Sequence, residues 1–412
     1  MAARRIGILT GGGDVPGLNS VIKSVVYNAT EIGCDVIGIR RGWEGLTHMK
    51  RAEALLSTGG RYDSDYIRPL DRVNTRTIDR TGGTVLHTSR TNPSKMKTGR
   101  LPSHLPAERL ATMEKADGIY DLTPVVLDNI EYLGLDYLIT IGGDDTLSYS
   151  AVLDRAGVPV IAIPKTMDND VQGTEYCIGF STAITRAKEA INRQRTTLGS
   201  HERIGVFRIF GRDAGFSALY TAYVVSGRCV IPEARFDLDR LLEVLVEDKR
   251  SNPSRYAFVI ASEGAMWEGG ELHEFGEADG FGHRRKEDVG FALVEQIKQK
   301  TGEEAVNSEL TYDLRAGEPD SIDQMVAITF ANIAVDLIRE GHEHGRMMAI
   351  VDGKYAHVPI PEPGNPRKVD VDTMYDLTRF RPQYHNRLGR PLLLGASLGE
   401  VRSELGDPVL AG

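Results

Sequence analysis

Seven consecutive residues, Pro164-Lys165-Thr166-Met167-Asp168-Asn169-Asp170, bring one cation, one hydroxyl and two carboxylates together. That inventory suits moving a charged group between two oxygens, with a carboxylate taking the proton of an attacking hydroxyl and an ammonium offsetting charge on the group in transit. A second loop, Gly142-Gly143-Asp144-Asp145-Thr146, adds two acidic side chains. A third, Thr10-Gly11-Gly12-Gly13-Asp14-Val15-Pro16-Gly17, lets the backbone come close to an anion, and free N–H groups at a following helix start favour negative charge. It matches neither G-x-x-x-x-G-K-[ST], having no Lys, nor G-x-G-x-x-G, because Pro16 takes the third glycine position. Carboxylates grouped beside a phosphate site are what Mg²⁺ needs, since this hard ion takes one or two carboxylates plus phosphate oxygens and water. Asp144 is the ligand candidate.

The elements that must position these loops are legible as apolar runs. Val158–Ile163 and Tyr137–Ile141 are apolar at nearly every position, the pattern of strands buried on both faces in a parallel sheet. Two parallel strands joined by a right-handed crossover release their following loops at one edge, so Asp144, Asp145, Lys165 and Asp168 are expected to face one crevice. Arg5–Leu9 reads as the first strand, followed by the glycine-rich loop and a helical pattern from Asn19 through Val26. Asp35–Ile39 reads as the second strand. Trp43 in the turn after it is read as a packing anchor.

Further along, Thr81–Arg90 is punctuated by glycine and ends in Arg90, with room to reach a phosphate; His87 is read as structural. Ser181–Arg195 is a long helical pattern, and Arg203–Ile209 alternates as a strand leading into Phe210-Gly211-Arg212-Asp213. Arg212 stands at a strand-to-helix junction, placed either for an anion or to pair with Asp213. The strand Tyr256–Ala261 delivers Glu263, which could hold a sugar hydroxyl or cap the next element. Gly264–Arg285 reads as an exposed loop, and Glu309–Arg315 as a further alternating segment with a basic end. Leu238–Val246, Val289–Lys300 and Ile322–Glu340 are helical patterns, and Asp352-Gly353 between apolar runs predicts a β-hairpin. No chemistry is assigned to the Pro-rich tail that starts at Pro359.

With 412 residues, two domains are expected. A formal net charge of −9 without any basic block argues against a nucleic-acid binder. Cys34, Cys177 and Cys229 are odd in number and far apart, which fits packing residues better than disulfides or metal ligands. No 18-residue stretch is uniformly apolar, so no membrane partner and a cytoplasmic location are expected.

Taken in order, Thr10–Gly17, Gly142–Thr146, Pro164–Asp170, Phe210–Arg212 and Ser262–Gly264 resemble the loops of the 6-phosphofructokinase family over roughly the first 340 residues. The resemblance implies an α/β fold of two similar three-layer domains with mainly parallel sheets and the active site in the cleft between them. It divides the chain into a phosphoryl-donor domain at 1–178, to which 315–345 returns, a fructose 6-phosphate domain at 179–314, and a hairpin and tail at 346–412. It implies Asp168 as proton acceptor, Asp144 as the Mg²⁺ ligand, and Gly12, Gly13, Arg90 and Asp145 as donor-binding residues. The sugar phosphate would meet Thr166, Met167, Asp168, Phe210, Gly211, Arg212, Glu263, Tyr312, Arg315 and Arg203, the last reaching across to a neighbouring subunit of a homodimer or homotetramer. The Tyr312–Arg315 segment departs from the family's commoner His-x-x-Arg, and no arginine stands a few residues upstream where many members have one. Gly-Gly-Asp-x-Thr is shared with NAD and lipid kinases, which lack the later loops.

Two positions bear on the donor. ATP-using members carry Gly-Gly-Asp-Gly and Pro-Gly-Thr where this chain has Asp145 and Lys165, a pair that resembles the pyrophosphate-dependent branch. A carboxylate at 145 would lie where the α-phosphate of ATP goes, and two unit charges about 4 Å apart at an effective dielectric of about 20 repel by roughly 4 kcal/mol. That corresponds to about a thousandfold in affinity. Lys165 would neutralise charge on the transferring or leaving phosphate. The reading is a reversible, Mg²⁺-dependent transfer from pyrophosphate to the 1-hydroxyl of fructose 6-phosphate, with the ATP-dependent enzyme as its nearest alternative and a non-catalytic paralogue as a more distant one.

Overall fold

The computed structural model describes residues 4–51, 65–270, 274–275, 285–286, 288–341, 344–362 and 364–383. Most of the loop expected at Gly264–Arg285, and the tail beyond 383, lie outside them. Along the chain, β1 (Arg5–Thr10), α1 (Leu18–Glu31), β2 (Asp35–Ile39), β3 (Ile67–Leu70), β4 (Tyr137–Gly142), α2 (Asp144–Arg155) and β5 (Val160–Pro164) alternate as the apolar runs predict. Next come α3 (Phe180–Ser200), β6 (Ile204–Ile209), α4 (Phe216–Val225), β7 (Arg228–Val230), α5 (Leu238–Ser251), β8 (Ala257–Ser262), α6 (Val289–Thr301) and β9 (Ala305–Leu310). The chain then crosses back through α7 (Ser321–Glu340) to the hairpin β10 (Arg346–Val351) and β11 (Lys354–Pro359).

Two sheets result. Seven strands in the order β11-β10-β5-β4-β1-β2-β3 are parallel except at the two edges, and four strands in the order β7-β8-β6-β9 are all parallel. Alternation along each strand feeds two layers. On β1, Ile6 and Ile8 join the core beneath α1, α3 and α7, while Leu9 joins the opposite core with Trp43, Leu138 and Tyr149. In the second sheet Phe207 and Ile260 face the first of these cores, and Val206 and Val259 pack with α5 and α6. Each aliphatic side chain buried this way contributes roughly 1.5–3 kcal/mol relative to exposure. The fold is therefore α/β with helices on both faces of mainly parallel sheets, as expected.

Two readings change. Glu309–Arg315 is not one strand: pairing ends at Leu310, and Tyr312–Arg315 is a single helical turn. The hairpin does not stand apart, because β10 pairs with β5 and completes the first sheet. Among the described residues one helix, α7, is long and apolar enough by composition to span a membrane, with a mean hydropathy of 1.4. It packs along α1, with Ser20 Oγ donating to Gln324 Oε1 at 2.7 Å. Trp43 is 1% exposed and meets Tyr149 edge-on at 4.8 Å, the anchor role predicted for it. The three cysteines are free and buried.

The start of α3 is held by a carboxylate far away in sequence. Asp323, fully buried at the start of α7, accepts from Tyr176 Oη (2.6 Å), the Gly179 and Thr182 amides (2.8 Å each) and Thr182 Oγ1. It thereby caps α3, whose own cap residue Gly179 has no side chain. Burial drives its carboxyl up to about 6 against those hydrogen bonds. Replacing it strands a phenol and two amides, each costing about 1–3 kcal/mol. We expect Asp323→Ala to lower stability by roughly 3 kcal/mol or more, read as a lower urea midpoint at unchanged m-value; an unaltered midpoint would refute the capping role.

Candidate active site

In the first sheet β1 and β4 run parallel, and strands are added to one side of β1 up to β3 and to the other from β4 onward, which makes their boundary the switch point where open sheets bind ligands outside their carboxyl ends. The loops after β1, β4 and β5 leave at this edge. In the second sheet, β6 with its neighbours β8 and β9 delivers Phe210–Arg212, Glu263 and Tyr312–Arg315 from its own carboxyl edge. These loops meet across one crevice.

On the first wall, Gly142 is required by packing: a Cβ there would lie 2.2 Å from Thr146 Cβ, so the turn can only pass over the first turn of α2 without a side chain. Asp144 and Asp145 occupy that first turn, where the helix dipole favours carboxylates. The backbone N–H of Lys165 donates to Gly142 O at 3.0 Å, tying the two acidic loops together. Its side chain is 4% exposed, and its ammonium donates to Gly13 O in the glycine-rich turn. Gly12, at φ 76°, leaves room for it, since a Cβ would stand 3.3 Å from Nζ. Burial pushes the ammonium down to about 8, with Arg315 and Arg90 acting in the same sense and Asp14 and Asp145 opposing them. So residues 145 and 165 share one pocket with the glycine-rich turn.

Two amides of the glycine-rich turn are already engaged, and its three glycines do not run directly into a helix. The Gly11 and Gly12 amides already donate to Ile141 O (2.9 Å) and Ser89 O (3.1 Å), and α1 starts only at Leu18. Cationic side chains supply the positive charge instead. A Cβ on Gly13 would meet the Arg315 guanidinium at 3.2 Å, and Arg315 Nε is buried without a hydrogen-bond partner, an unused donor in the centre of the crevice. Arg315 also stacks on Phe210 at 4.6 Å, bringing the two walls together. The segment Thr84–Ser89 is laced to the turn through Thr10 Oγ1, which lies 2.9 Å from Thr84 Oγ1, and through Thr88 Oγ1, which donates to Gly12 O, and this holds Arg90 near Lys165. His87 pairs with Arg40 at 2.8 Å, the structural role read for it.

The opposite side is acidic. Asp168 is driven well above the ordinary carboxylate range by burial first, then by Asp170 and Glu263, with Arg315 pulling it down. Asp170 is pushed up to about 6 by burial and by Asp144, Asp213 and Asp145. Among the described residues no three acidic, His or Cys side chains are gathered to hold an ion unaided. A hard cation shared between Asp144 and phosphate oxygens fits this set, because it would relieve the negative potential that Asp144, Asp145 and Asp213 impose on Asp170. Thr166 Oγ1 accepts from the Asp168 amide at 3.1 Å. Glu263 lies 3.8 Å from Arg212 and 3.6 Å from Arg208, and its loop is stitched to Gly211 by the Gly264 amide and Ser262 Oγ.

Three expected sugar-side residues stand elsewhere. Met167 turns its side chain into the core at 4% exposure, and its carbonyl accepts from Ser217 Oγ at 2.7 Å, so it braces the loop. Tyr312 is 75% exposed at the rim, its ring 5.6 Å from Arg315. Arg203 precedes β6, at the opposite end of the strand from the crevice, and pairs with Glu304 at 2.8 Å. Sequence reasoning passed over Asp14 and Asp213, although both stand inside motifs it quoted. It also missed Arg208, which pairs with Glu263, Asp288 and Glu309. An arginine amid the apolar residues of a central strand was the available signal.

The phosphofructokinase family profile matches residues 5–338. The chain is 38% identical over 362 residues to the pyrophosphate–fructose 6-phosphate 1-phosphotransferase of Streptomyces coelicolor, covering 87% of this chain and 94% of that one. It is 35% identical over 349 residues to ATP-dependent 6-phosphofructokinase 3 of the same organism, covering 84% and 90%. The solved structure of a pyrophosphate-dependent phosphofructokinase from Marinobacter aquaeolei aligns with a TM-score of 0.70 at 19% identity, over 96% of this chain and 92% of that one, a likeness of fold.

A cation held at Lys165 is present below its pKa and lost above it, so any step needing that charge weakens as pH rises through about 8. The alkaline limb of kcat/KM, which reports the free enzyme, should fall there, and Lys165→Arg should move that limb upward. An alkaline limb common to both proteins would show that another group sets it.

Proposed function

Because the chain belongs to the phosphofructokinase family, we propose that it catalyses reversible transfer of a phosphoryl group from pyrophosphate to the 1-hydroxyl of fructose 6-phosphate, giving fructose 1,6-bisphosphate and phosphate. The observation that carries this reading is the buried Lys165 ammonium enclosed by Gly13, Arg315, Arg90, Asp14 and Asp145, a compact cationic site with a carboxylate at its margin. Such a pocket takes a small inorganic anion, and Asp145 stands against the extra phosphate of a nucleotide by the repulsion estimated above.

In the proposed reaction the 1-hydroxyl of the sugar forms its bond to phosphorus as the bridging P–O bond of pyrophosphate breaks. Its proton passes to Asp168, and phosphate leaves toward Lys165. Burial and the neighbouring carboxylates that raise the Asp168 pKa make it a stronger base than an exposed aspartate. Arg315, with a free Nε between the walls, neutralises charge on the phosphates, and Arg212 and Glu263 orient the sugar. Mg²⁺, held by Asp144 and phosphate oxygens, would supply charge neutralisation of the transferred group. Asp170 and Asp213 deepen the negative potential there.

Arg203 supports a reading in which two copies are needed. Its guanidinium is at the far end of β6, so a sugar phosphate could reach it only from a second copy. On this basis the protein works as a homo-oligomer, dimer or tetramer. Mixing Arg203→Ala with Asp168→Asn, each inactive alone, should restore part of the activity in hybrid oligomers; additive inactivity would refute a shared site.

The donor is tested directly by assaying the purified protein with Mg²⁺ and fructose 6-phosphate and either pyrophosphate or ATP. Turnover with pyrophosphate is expected to dominate. Asp145→Gly should raise kcat/KM for ATP by about tenfold to a thousandfold, the upper figure corresponding to roughly 4 kcal/mol of relieved repulsion. Faster turnover with ATP in the unaltered protein would favour the ATP-dependent alternative, for which the 35% identical relative also speaks.

A further inference from the structure

The tail that begins in the Pro-rich segment has no role in the reading above, and it lies beyond residue 338, where the family match ends. It nevertheless returns to the site. Arg367 donates its backbone N–H to Asp170 O at 2.6 Å, and its Nη1 to Asn169 O at 3.2 Å and Glu175 O at 3.0 Å. Its guanidinium lies over the Phe216 ring at 4.3 Å, in the first turn of α4. One side chain therefore joins the loop carrying Asp168 to the second lobe.

The loop needs such a fastener. Asn169 has φ 54°, a left-handed conformation that a non-glycine residue keeps only when its surroundings impose it. Its side chain accepts from the Cys177 amide at 2.8 Å and donates to Glu175 O at 3.0 Å, and Arg367 holds its carbonyl from the other side. Asp168 and Asp170 flank this turn, so its dihedral angles set where both carboxylates point.

The strap carrying Arg367 is anchored independently of the site. The Val369 amide donates to Glu233 Oε1 at 2.9 Å, the carboxylate that also takes the Gly215 amide. Tyr375 Oη donates to Cys229 O at 2.6 Å, and Phe380 is buried at the edge of the second sheet, its carbonyl accepting from the Cys229 amide at 2.8 Å.

We propose that Arg367 is a positioning residue for phosphoryl transfer, fixing the turn at Asn169 and through it the direction of Asp168 without touching either substrate. The inference rests on Asp168 being the proton acceptor. A guanidinium is suited to the task because one terminal nitrogen, Nη1, donates to both carbonyls while the flat face of the group stacks on the Phe216 ring, and an ammonium offers no such face.

The test compares the full-length protein with Arg367→Ala, Arg367→Lys, Tyr375→Phe and Asp168→Asn. The backbone bond to Asp170 survives every substitution at 367, so the variants isolate the side chain. Arg367→Ala should lose about tenfold to a hundredfold in kcat, the scale of a reacting group displaced by about 1 Å, with the KM of both substrates within about threefold. Added methylguanidinium should restore part of that kcat and should do nothing for Asp168→Asn. Arg367→Lys should fall between Arg367→Ala and the parent, which keeps the question answerable if the alanine variant does not fold. Tyr375→Phe, which loosens the strap elsewhere, should keep the parental kcat. A parental kcat in Arg367→Ala or Arg367→Lys, a loss confined to KM, an equal loss in Tyr375→Phe or an absence of rescue would each overturn the positioning role. An unaltered protein inactive with both donors, or an active Asp168→Asn, would instead sink the functional reading on which it rests.

Discussion

A charge taken out of water organises this crevice. The Lys165 ammonium is almost fully buried, and its desolvation is offset by the Gly13 carbonyl and by the Asp14 and Asp145 carboxylates, while Arg315 and Arg90 press against it. Remove the glycines and the ammonium loses its seat; remove the carboxylates and two arginines face it uncompensated. The site as built carries more positive charge around Lys165 than its own carboxylates balance. In the proposed reaction a phosphate anion would supply the difference, so that its binding and the ionisation of Lys165 would reinforce each other.

Only three residues further along, at Asp168, the balance inverts. Asp168 and Asp170 sit with Asp144, Asp145, Asp213 and Glu263 acting on one or both of them, and burial strengthens every one of these repulsions. A loop with a cation at one end and crowded carboxylates at the other cannot be left to find its own conformation. Ser217 on α4 holds Met167 O, Arg367 in the tail holds the turn at Asn169, and within the loop Thr166 Oγ1 holds the Asp168 amide. Phosphoryl transfer asks the protein mainly for positioning and charge compensation, and these contacts supply the first while the buried charges supply the second.

What the sequence made legible follows the range of the interactions. Strands buried on both faces announce themselves as unbroken apolar runs, so β1, β2, β4 and β5 were found nearly to the residue, and their parallel order placed Asp144, Asp145, Lys165 and Asp168 in one crevice. The turn Tyr312–Arg315 was misjudged because alternation continued past the end of pairing, and only the tertiary contact of Arg315 with Phe210 and Gly13 decides its conformation. The glycine-rich loop showed in the sequence as a close approach of backbone, but the engagement of two of its amides did not, since the carbonyls that take the Gly11 and Gly12 N–H groups come from Ile141 and Ser89. Arg367 left no local trace: its partners are nearly two hundred residues away, and a lone arginine after prolines looks like any solvated linker.

The two displaced ionisations point the same way. Burial lifts Asp168 and lowers Lys165, so a carboxylate ordinarily far below neutrality and an ammonium ordinarily far above it are brought toward each other on the pH scale. With Asp168 as the proposed proton acceptor, it would begin ionised and end protonated in the forward direction, and in reverse would return that proton to the sugar oxygen as the ester bond breaks. A base of ordinary acidity would hold the proton too weakly to serve the return step, and a lysine of ordinary basicity would bind the inorganic anion equally in every state. Shifting both toward neutral pH lowers the energetic gap between the two protonation states. A base and an acid displaced in this way could take up and give back the proton in either direction of the proposed exchange.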